Sequence, residues 1–194
     1  MNKSFSLTIK LIVILLFIHL LVMILFQEVL FFSIDDMDLL KLSRISSLMT
    51  IILSSIFMFI IFILIIITPY YTVCLYNKIE YKDYFIVVKS LFYTYLSYEL
   101  LRGIIICFFV VPVAEQNSGN IQFIESFYTH TIIGSSLLFY DLSLIPVLSV
   151  ICALTYYFKV RNDITETVIS GLTLFALLCL LNMGSLRTAV MLLR

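Results

Sequence analysis

The chain is poor in charged residues and in residues that break helices. Of its 194 residues only 12% are Asp, Glu, Lys or Arg, and it has five glycines, three prolines and no tryptophan. Soluble domains contain about 25% charged residues, so this composition excludes an ordinary soluble domain. The formal net charge is zero, which argues against a nucleic-acid partner because such proteins carry a basic surface.

Motifs for cofactors, metals and catalysis are also missing. The four cysteines are far apart, and no C-x-x-C pair or nearby histidine suggests zinc binding. The phosphate-binding, nucleophile-elbow and H-E-x-x-H patterns do not occur. The segment around Glu99 and Arg102 lacks the second glutamate and the arginine spacing of CAAX-type membrane endopeptidases. We therefore expect a protein that is not an enzyme, with no cofactor and no metal site.

Long apolar segments make up most of the chain, which is 62% hydrophobic. A helix rises 1.5 Å per residue, so about 20 apolar residues cross the hydrocarbon core of a bilayer. Five segments reach this length, at about residues 7–32, 45–71, 84–112, 126–158 and 165–183. Because the connections are short, the sequence predicts an all-α polytopic membrane protein: one transmembrane domain over residues 1–194, with five helices in one bundle.

Particular residues set the predicted boundaries. The polar segment 33–44, which contains Asp35, Asp36 and Asp38, is expected to connect the first two helices. Pro69 is expected to mark the end of the second helix, since proline removes a hydrogen bond from a helix interior. A short apolar tail is expected after Arg187.

The placement of lysine and arginine predicts the orientation. With the N-terminus in the cytoplasm, the cytoplasmic ends hold seven of these residues and the opposite ends hold four. Tyrosines, which favour the membrane interface, cluster at the same predicted cytoplasmic boundary. We expect the N-terminus inside and the C-terminus outside, with the inverted arrangement as the alternative.

Four ionisable residues fall inside the predicted helices: His19, Glu99, Arg102 and Asp141. A charge at the centre of a membrane helix costs about 2.5–3.5 kcal/mol on insertion scales, so such residues usually face the bundle interior and pair. Their depths can be compared by counting residues from the charged connections at the predicted cytoplasmic ends of the helices.

This count places Arg102 and Asp141 at nearly the same depth. Arg102 follows Asp83 by almost the same number of residues as Asp141 precedes Lys159, and all helices rise equally per residue. We expect Arg102 to bridge Glu99 and Asp141. His19 follows Lys10 by a much shorter stretch and is expected to lie lower, outside this cluster.

The two acids and one arginine of this intramembrane charge cluster leave one negative charge. Either one acid is protonated or another group donates a hydrogen bond, and nearby candidates include Tyr98 and Tyr140. The cluster can be a buried ion pair that fixes helix register, a proton or ligand site, or a contact to a partner subunit. His19 is a secondary candidate for a functional residue.

Residues 68–181 resemble the Yip-domain family of five-span membrane proteins (bacterial type). Two segments carry the resemblance, TVCLYNKIEYKDYFIVVKS and FYDLSLIPVLSVICALTYYFKVRNDITETV. They are similar to the family's short basic loop before an aromatic-rich third span, and to its fourth span, basic turn and fifth span. The DLYGP-type motif of eukaryotic members is absent. The resemblance implies five spans with a cytosolic N-terminus, and some bacterial members resemble accessory subunits encoded beside ABC-type exporters.

The sequence leaves two functions open. The first is a non-catalytic integral membrane subunit of a larger membrane complex, for example one accessory to an ABC-type exporter; its partners would be the lipid bilayer and other membrane subunits. The alternative is a small proton-coupled transporter or channel that uses Glu99, Arg102 and Asp141. Abundant Ile and Phe with no Trp is typical of an AT-rich bacterial genome, so we expect the bacterial inner (cytoplasmic) membrane.

Overall fold

The computed structural model describes residues 3–31, 37–116, 127 and 131–193. The regular secondary structure in these ranges is helical. The helices are α1 (Lys3–Phe31), α2 (Met37–Cys74), α3 (Tyr81–Ile105), α4 (Val111–Gln116), α5 (Ile132–Thr155), α6 (Ile164–Leu181) and α7 (Met183–Leu192). Two π-helical turns, Ile106–Val110 and Tyr156–Val160, follow α3 and α5.

Five helical segments of the described chain are long and apolar enough to cross a membrane. They are Ser6–Val29, Arg44–Cys74, Tyr81–Gln116, Ile132–Val160 and Ile164–Leu181. The prediction of an all-helical chain with five candidate membrane-spanning helices is confirmed. In lipid, a helix satisfies every backbone hydrogen bond within its own segment, which is why apolar sequences of this length fold this way.

Contacts at both ends of the bundle fix which helix ends lie together. Thr8 near the start of α1 shares a hydrogen bond of 2.9 Å with Tyr81 at the start of α3. Asn77, between α2 and α3, donates to Glu166 in the first turn of α6. At the opposite end, Arg44 of α2 forms an ion pair of 2.8 Å with Glu28 of α1. The start of α1 therefore lies with the α2–α3 and α5–α6 connections.

Two apolar clusters form the core. The larger contains Leu15 of α1, Val87 of α3, Leu148 of α5 and Leu174 of α6, and the smaller is built on Val22, Phe26, Ile106, Val110 and Leu137. On α1, α3 and α5, the ionisable residue lies in sequence between members of the two clusters. The intramembrane charges therefore occupy a layer between two apolar layers.

Helix α2 differs from the prediction at both ends. It begins at Met37, so much of the expected polar connection is helical; Asp35 and Asp36 lie outside the described residues. The helix also continues through Pro69 to Cys74, so Pro69 is not its end. Packing beyond the proline explains this. Val73 is 1% exposed, and the ring of Tyr70 packs on the ring of Tyr81 with centroids 5.4 Å apart.

The third membrane segment also runs past its predicted end at residue 112. After α3, a π-helical turn widens the helix, and the amide of Val111 bonds to the carbonyl of Ile106 five residues back. Pro112 follows at once; its ring would clash with the carbonyl four residues earlier in a regular α-helix. The wide turn accommodates the proline and lets α4 continue to Gln116.

Two further boundaries have local causes. Helix α5 begins at Ile132, where the Thr131 side chain caps the helix by accepting from the amide of Gly134 at 2.9 Å. The predicted start at residue 126 lies outside the described residues. After α6, the apolar tail is helical: Asn182 separates α6 from α7 and donates through its side chain to the carbonyl of Leu178 at 2.9 Å.

Candidate functional site

Arg102 and Asp141 join α3 to α5 in the middle of the bundle. Arg102 Nη2 lies 3.2 Å from Asp141 Oδ2. The side chains are 11% and 28% exposed, so the pair is largely shielded. The matched depths that the sequence predicts for these two residues are confirmed.

Glu99 is bonded differently from the prediction. His19 Nδ1 lies 2.7 Å from Glu99 Oε1, and both residues are buried. Among the described residues, Glu99 Oε2 has no hydrogen-bond partner. The sequence predicts a bridge from Arg102 to both acids. Arg102 pairs with Asp141, whereas Glu99 receives its hydrogen bond from His19 of α1.

The expectation that His19 lies outside the cluster is wrong. A count from Lys10 places His19 too low, because α1 begins at Lys3, seven residues earlier. Counted from the first residue of each helix, His19 lies 16 residues along α1 and Glu99 lies 18 residues along α3. At a rise of 1.5 Å per residue this difference is about 3 Å, so the two side chains reach each other.

Two tyrosines support the acid of α5. The Tyr98 hydroxyl donates to Asp141 Oδ1, and the Tyr140 hydroxyl donates to the backbone carbonyl of Tyr98 at 3.0 Å. Their rings stack with centroids 4.5 Å apart and planes 6° from parallel. Tyr98 therefore gives Asp141 a second donor besides Arg102, and Tyr140 stacks on the ring of Tyr98.

A cleft of about 200 Å³ connects these groups. Its polar lining comes from His19, Tyr95, Tyr98, Glu99, Arg102, Asp141 and Asn182. Apolar residues of α2 and α6, such as Ile61 and Leu178, complete the wall. The volume holds several water molecules or one small polar ligand, and it is smaller than the roughly 300–1,000 Å³ of pockets for drug-sized ligands.

Charge in the cleft is close to balance. Arg102 and Asp141 cancel, so the net charge depends on His19 and Glu99. With a neutral imidazole that donates from Nδ1, the carboxylate of Glu99 leaves one negative charge; with an imidazolium, the cleft is neutral.

A second polar cluster, at the end of the bundle where α1 begins, was not identified from the sequence. Glu166 is 2% exposed and accepts hydrogen bonds from Asn77 and Tyr156. Arg161 Nη1 lies 3.5 Å from Glu166 Oε1. An acid in the first turn of a helix is common, and Asp163 caps the same helix, so no local pattern indicates that Glu166 is buried.

Comparisons of the chain with protein-family models, with curated proteins and with solved structures gave no match. The resemblance to the Yip-domain family therefore stays a prediction.

Proposed function

We propose that the chain is a small, non-catalytic, proton-coupled transporter whose solute site is the cleft around Glu99. The observation that carries this proposal is the convergence of His19, Glu99, Arg102 and Asp141 on one cleft between two apolar layers. Ionisable residues inside membrane helices commonly mark proton relays and substrate paths.

The incomplete hydrogen bonding of the polar groups in the cleft supports a functional site over a purely structural one. A network that only fixes helix register is best satisfied internally, because a buried polar atom without a partner costs about 1–3 kcal/mol. Glu99 is fully buried, yet its Oε2 has no hydrogen-bond partner in the described chain. A solute or water in the cleft would supply the missing partner.

Proton movement can be measured directly in proteoliposomes that contain a pH-sensitive dye. External amines, carboxylates and neutral polyols are added in turn, and we expect one of these classes to change the internal pH. Glu99→Gln should abolish the change, whereas Glu28→Gln, the same substitution at a residue outside the cleft, should leave it intact. If folded wild-type protein shows no solute-driven pH change with any class, the transporter proposal is wrong.

A role as a subunit of a larger membrane complex is the second candidate, and α2 favours it. Ser46, Thr50 and Ser54 recur every four residues on the first half of this helix, where most side chains are exposed. Small residues at this spacing are common where membrane helices pack against each other. The face they form has room for a helix of another protein.

This second candidate is tested by purification from native membranes in mild detergent, followed by mass spectrometry. A partner at stoichiometric yield that is lost in Thr50→Leu would support the subunit role, and an ATPase with its permease would point to an exporter. Recovery of the chain alone would contradict it.

A further inference from the structure

We infer that the cleft takes a small protonated amine, which binds at Glu99 Oε2 in exchange for a proton held by His19. This inference rests on the proposed transport function and names its solute class and its coupling. Its starting point is the one carboxylate oxygen in the cleft that has no hydrogen-bond partner among the described residues, Glu99 Oε2.

The neighbours of Glu99 favour a cation over an anion. Arg102, the fixed positive group of the cleft, is already engaged by Asp141 at 3.2 Å. Within the described chain, Glu99 accepts its hydrogen bond from His19 at Oε1, so its second oxygen is available to accept from an N–H donor. An ammonium group carries such donors and a full positive charge, and charge-assisted hydrogen bonds are about twice as strong as neutral ones.

The apolar part of the cleft wall favours an organic cation over an alkali ion. Tyr95 and Tyr98 both line the cleft, with ring centroids 5.8 Å apart. The remaining wall is apolar and suits the short alkyl part of an amine, for which a volume of about 200 Å³ is sufficient.

The exchange follows from the charge of the cleft. Without an amine, His19 as an imidazolium neutralises Glu99. When an amine enters, the imidazolium gives its Nε2 proton to water in the cleft and keeps the Nδ1 proton that it donates to Glu99. One positive charge enters and one leaves, so the buried layer remains neutral.

The groups that face this pair come from each helix around the cleft. They are Tyr95, Tyr98 and Arg102 of α3, Asp141 of α5 and Asn182 after α6, while α2 contributes Met58, Ile61 and Ile65. Arg102 is engaged by Asp141, and Asp141 also accepts from Tyr98. His19 and Glu99 are therefore the pair whose charge a bound amine would change.

The test measures thermal unfolding and proton release of the purified, full-length protein in weak buffer. Ethylammonium chloride, sodium chloride, sodium acetate and ethanol are added separately. We expect only ethylammonium to raise the unfolding temperature, and we expect a proton to be released as the amine binds. Glu99→Gln should weaken ethylammonium binding roughly ten- to a hundredfold, and Glu28→Gln should bind as the wild type does.

The wild-type series decides the solute class even if Glu99→Gln fails to fold. Equal stabilisation by sodium and ethylammonium, or stabilisation by acetate or ethanol alone, would overturn the amine. The transporter proposal would survive that result, provided that the same solute moves protons in proteoliposomes. Stabilisation by ethylammonium without proton release would overturn the exchange at Glu99. An equal rise in unfolding temperature in a folded Glu99→Gln variant would overturn it as well.

Discussion

At the scale of single residues, the stability of the bundle interior depends on pairs rather than on individual charges. Arg102 with Asp141 and His19 with Glu99 each bring together polar groups that lipid cannot solvate. Removing one member of a buried pair leaves the other uncompensated, whereas replacing both by apolar residues can be neutral. Substitutions at these positions should therefore behave non-additively.

Arg102→Leu should lower the free energy of unfolding by about 3–5 kcal/mol, because it leaves the carboxylate of Asp141 without its cation. Arg44→Leu is the matched control: its ion pair with Glu28 is about half exposed, at 50% and 48%, and should contribute about 0–1 kcal/mol. Chemical unfolding in detergent micelles compares the two variants. Equal stability would show that the buried pair is not formed.

A triple variant replaces Arg102 and the two residues bonded around it by apolar side chains. Arg102→Leu with Asp141→Leu and Tyr98→Phe removes the cation, the acid and the hydroxyl that bonds it. This triple variant should recover most of the stability lost in Arg102→Leu. A triple variant as unstable as the single one would indicate that packing, and not the unpaired charge, caused the loss.

His19→Leu should destabilise the protein by about 1–3 kcal/mol, because buried Glu99 loses its hydrogen-bond donor. His19→Gln keeps an N–H donor and should lose less. Adding Glu99→Leu to His19→Leu should restore stability, since no orphaned carboxylate remains. Thermal unfolding of the four proteins provides the measurement, and wild-type stability in His19→Leu would rule out the contact with α1.

At the scale of helices, close approach and end contacts decide how the elements pack. A Cβ added at Gly171 of α6 would lie 3.0 Å from the Cβ of Ala153 and 3.3 Å from the carbonyl of Ser149 on α5. The two helices therefore approach closely because this position lacks a side chain. At Gly184 of α7, the same added atom would have no neighbour within 4 Å.

Gly171→Leu should cost about 1–3 kcal/mol or more by forcing α5 and α6 apart. Gly184→Leu introduces the same side chain into open space and should be close to neutral. Unfolding temperatures in one detergent compare them directly. Similar temperatures for both variants would contradict the close packing of α5 on α6.

Glu166 links two connections that are far apart in sequence. Glu166→Leu leaves Asn77 and Tyr156 without their shared acceptor and should cost about 1.5–3 kcal/mol, the range for hydrogen bonds to charged groups. Hydrogen exchange of the amides in residues 75–80 and 161–163 should quicken, while Glu28→Leu should leave it unchanged. Unchanged exchange in Glu166→Leu would exclude the link.

At the scale of the whole molecule, the bundle groups the start of α1 with the α2–α3 and α5–α6 connections. Reporter fusions at Lys78 and Lys159 should therefore agree with each other. From the lysine and arginine bias, we expect both to read cytoplasmic, and fusions at Asn117 and Arg194 to read external. A reversed pattern at all four sites would invert the orientation, whereas Asn117 reading with Lys78 would contradict five spans.

The number of helices and the pairing of Arg102 with Asp141 could be predicted because both depend on local quantities. Segment length and hydropathy decide whether a helix can cross lipid, and the regular rise of a helix makes depth a matter of counting. The same counting failed for His19 because Lys10 lies seven residues inside α1, whereas Asp83 lies only two residues inside α3. A charged residue near the N-terminus does not by itself mark where a helix begins.

The sequence by itself determined the five long helices and the common depth of Arg102 and Asp141, since both follow from residues close together along the chain. Only the tertiary structure decided that Glu99 bonds to His19, that Glu166 is buried, and that α2 continues through Pro69. Each of these depends on a neighbour from another helix. Packing energy between helices outweighs the local preference of a proline or a carboxylate, and that energy cannot be read from one segment alone.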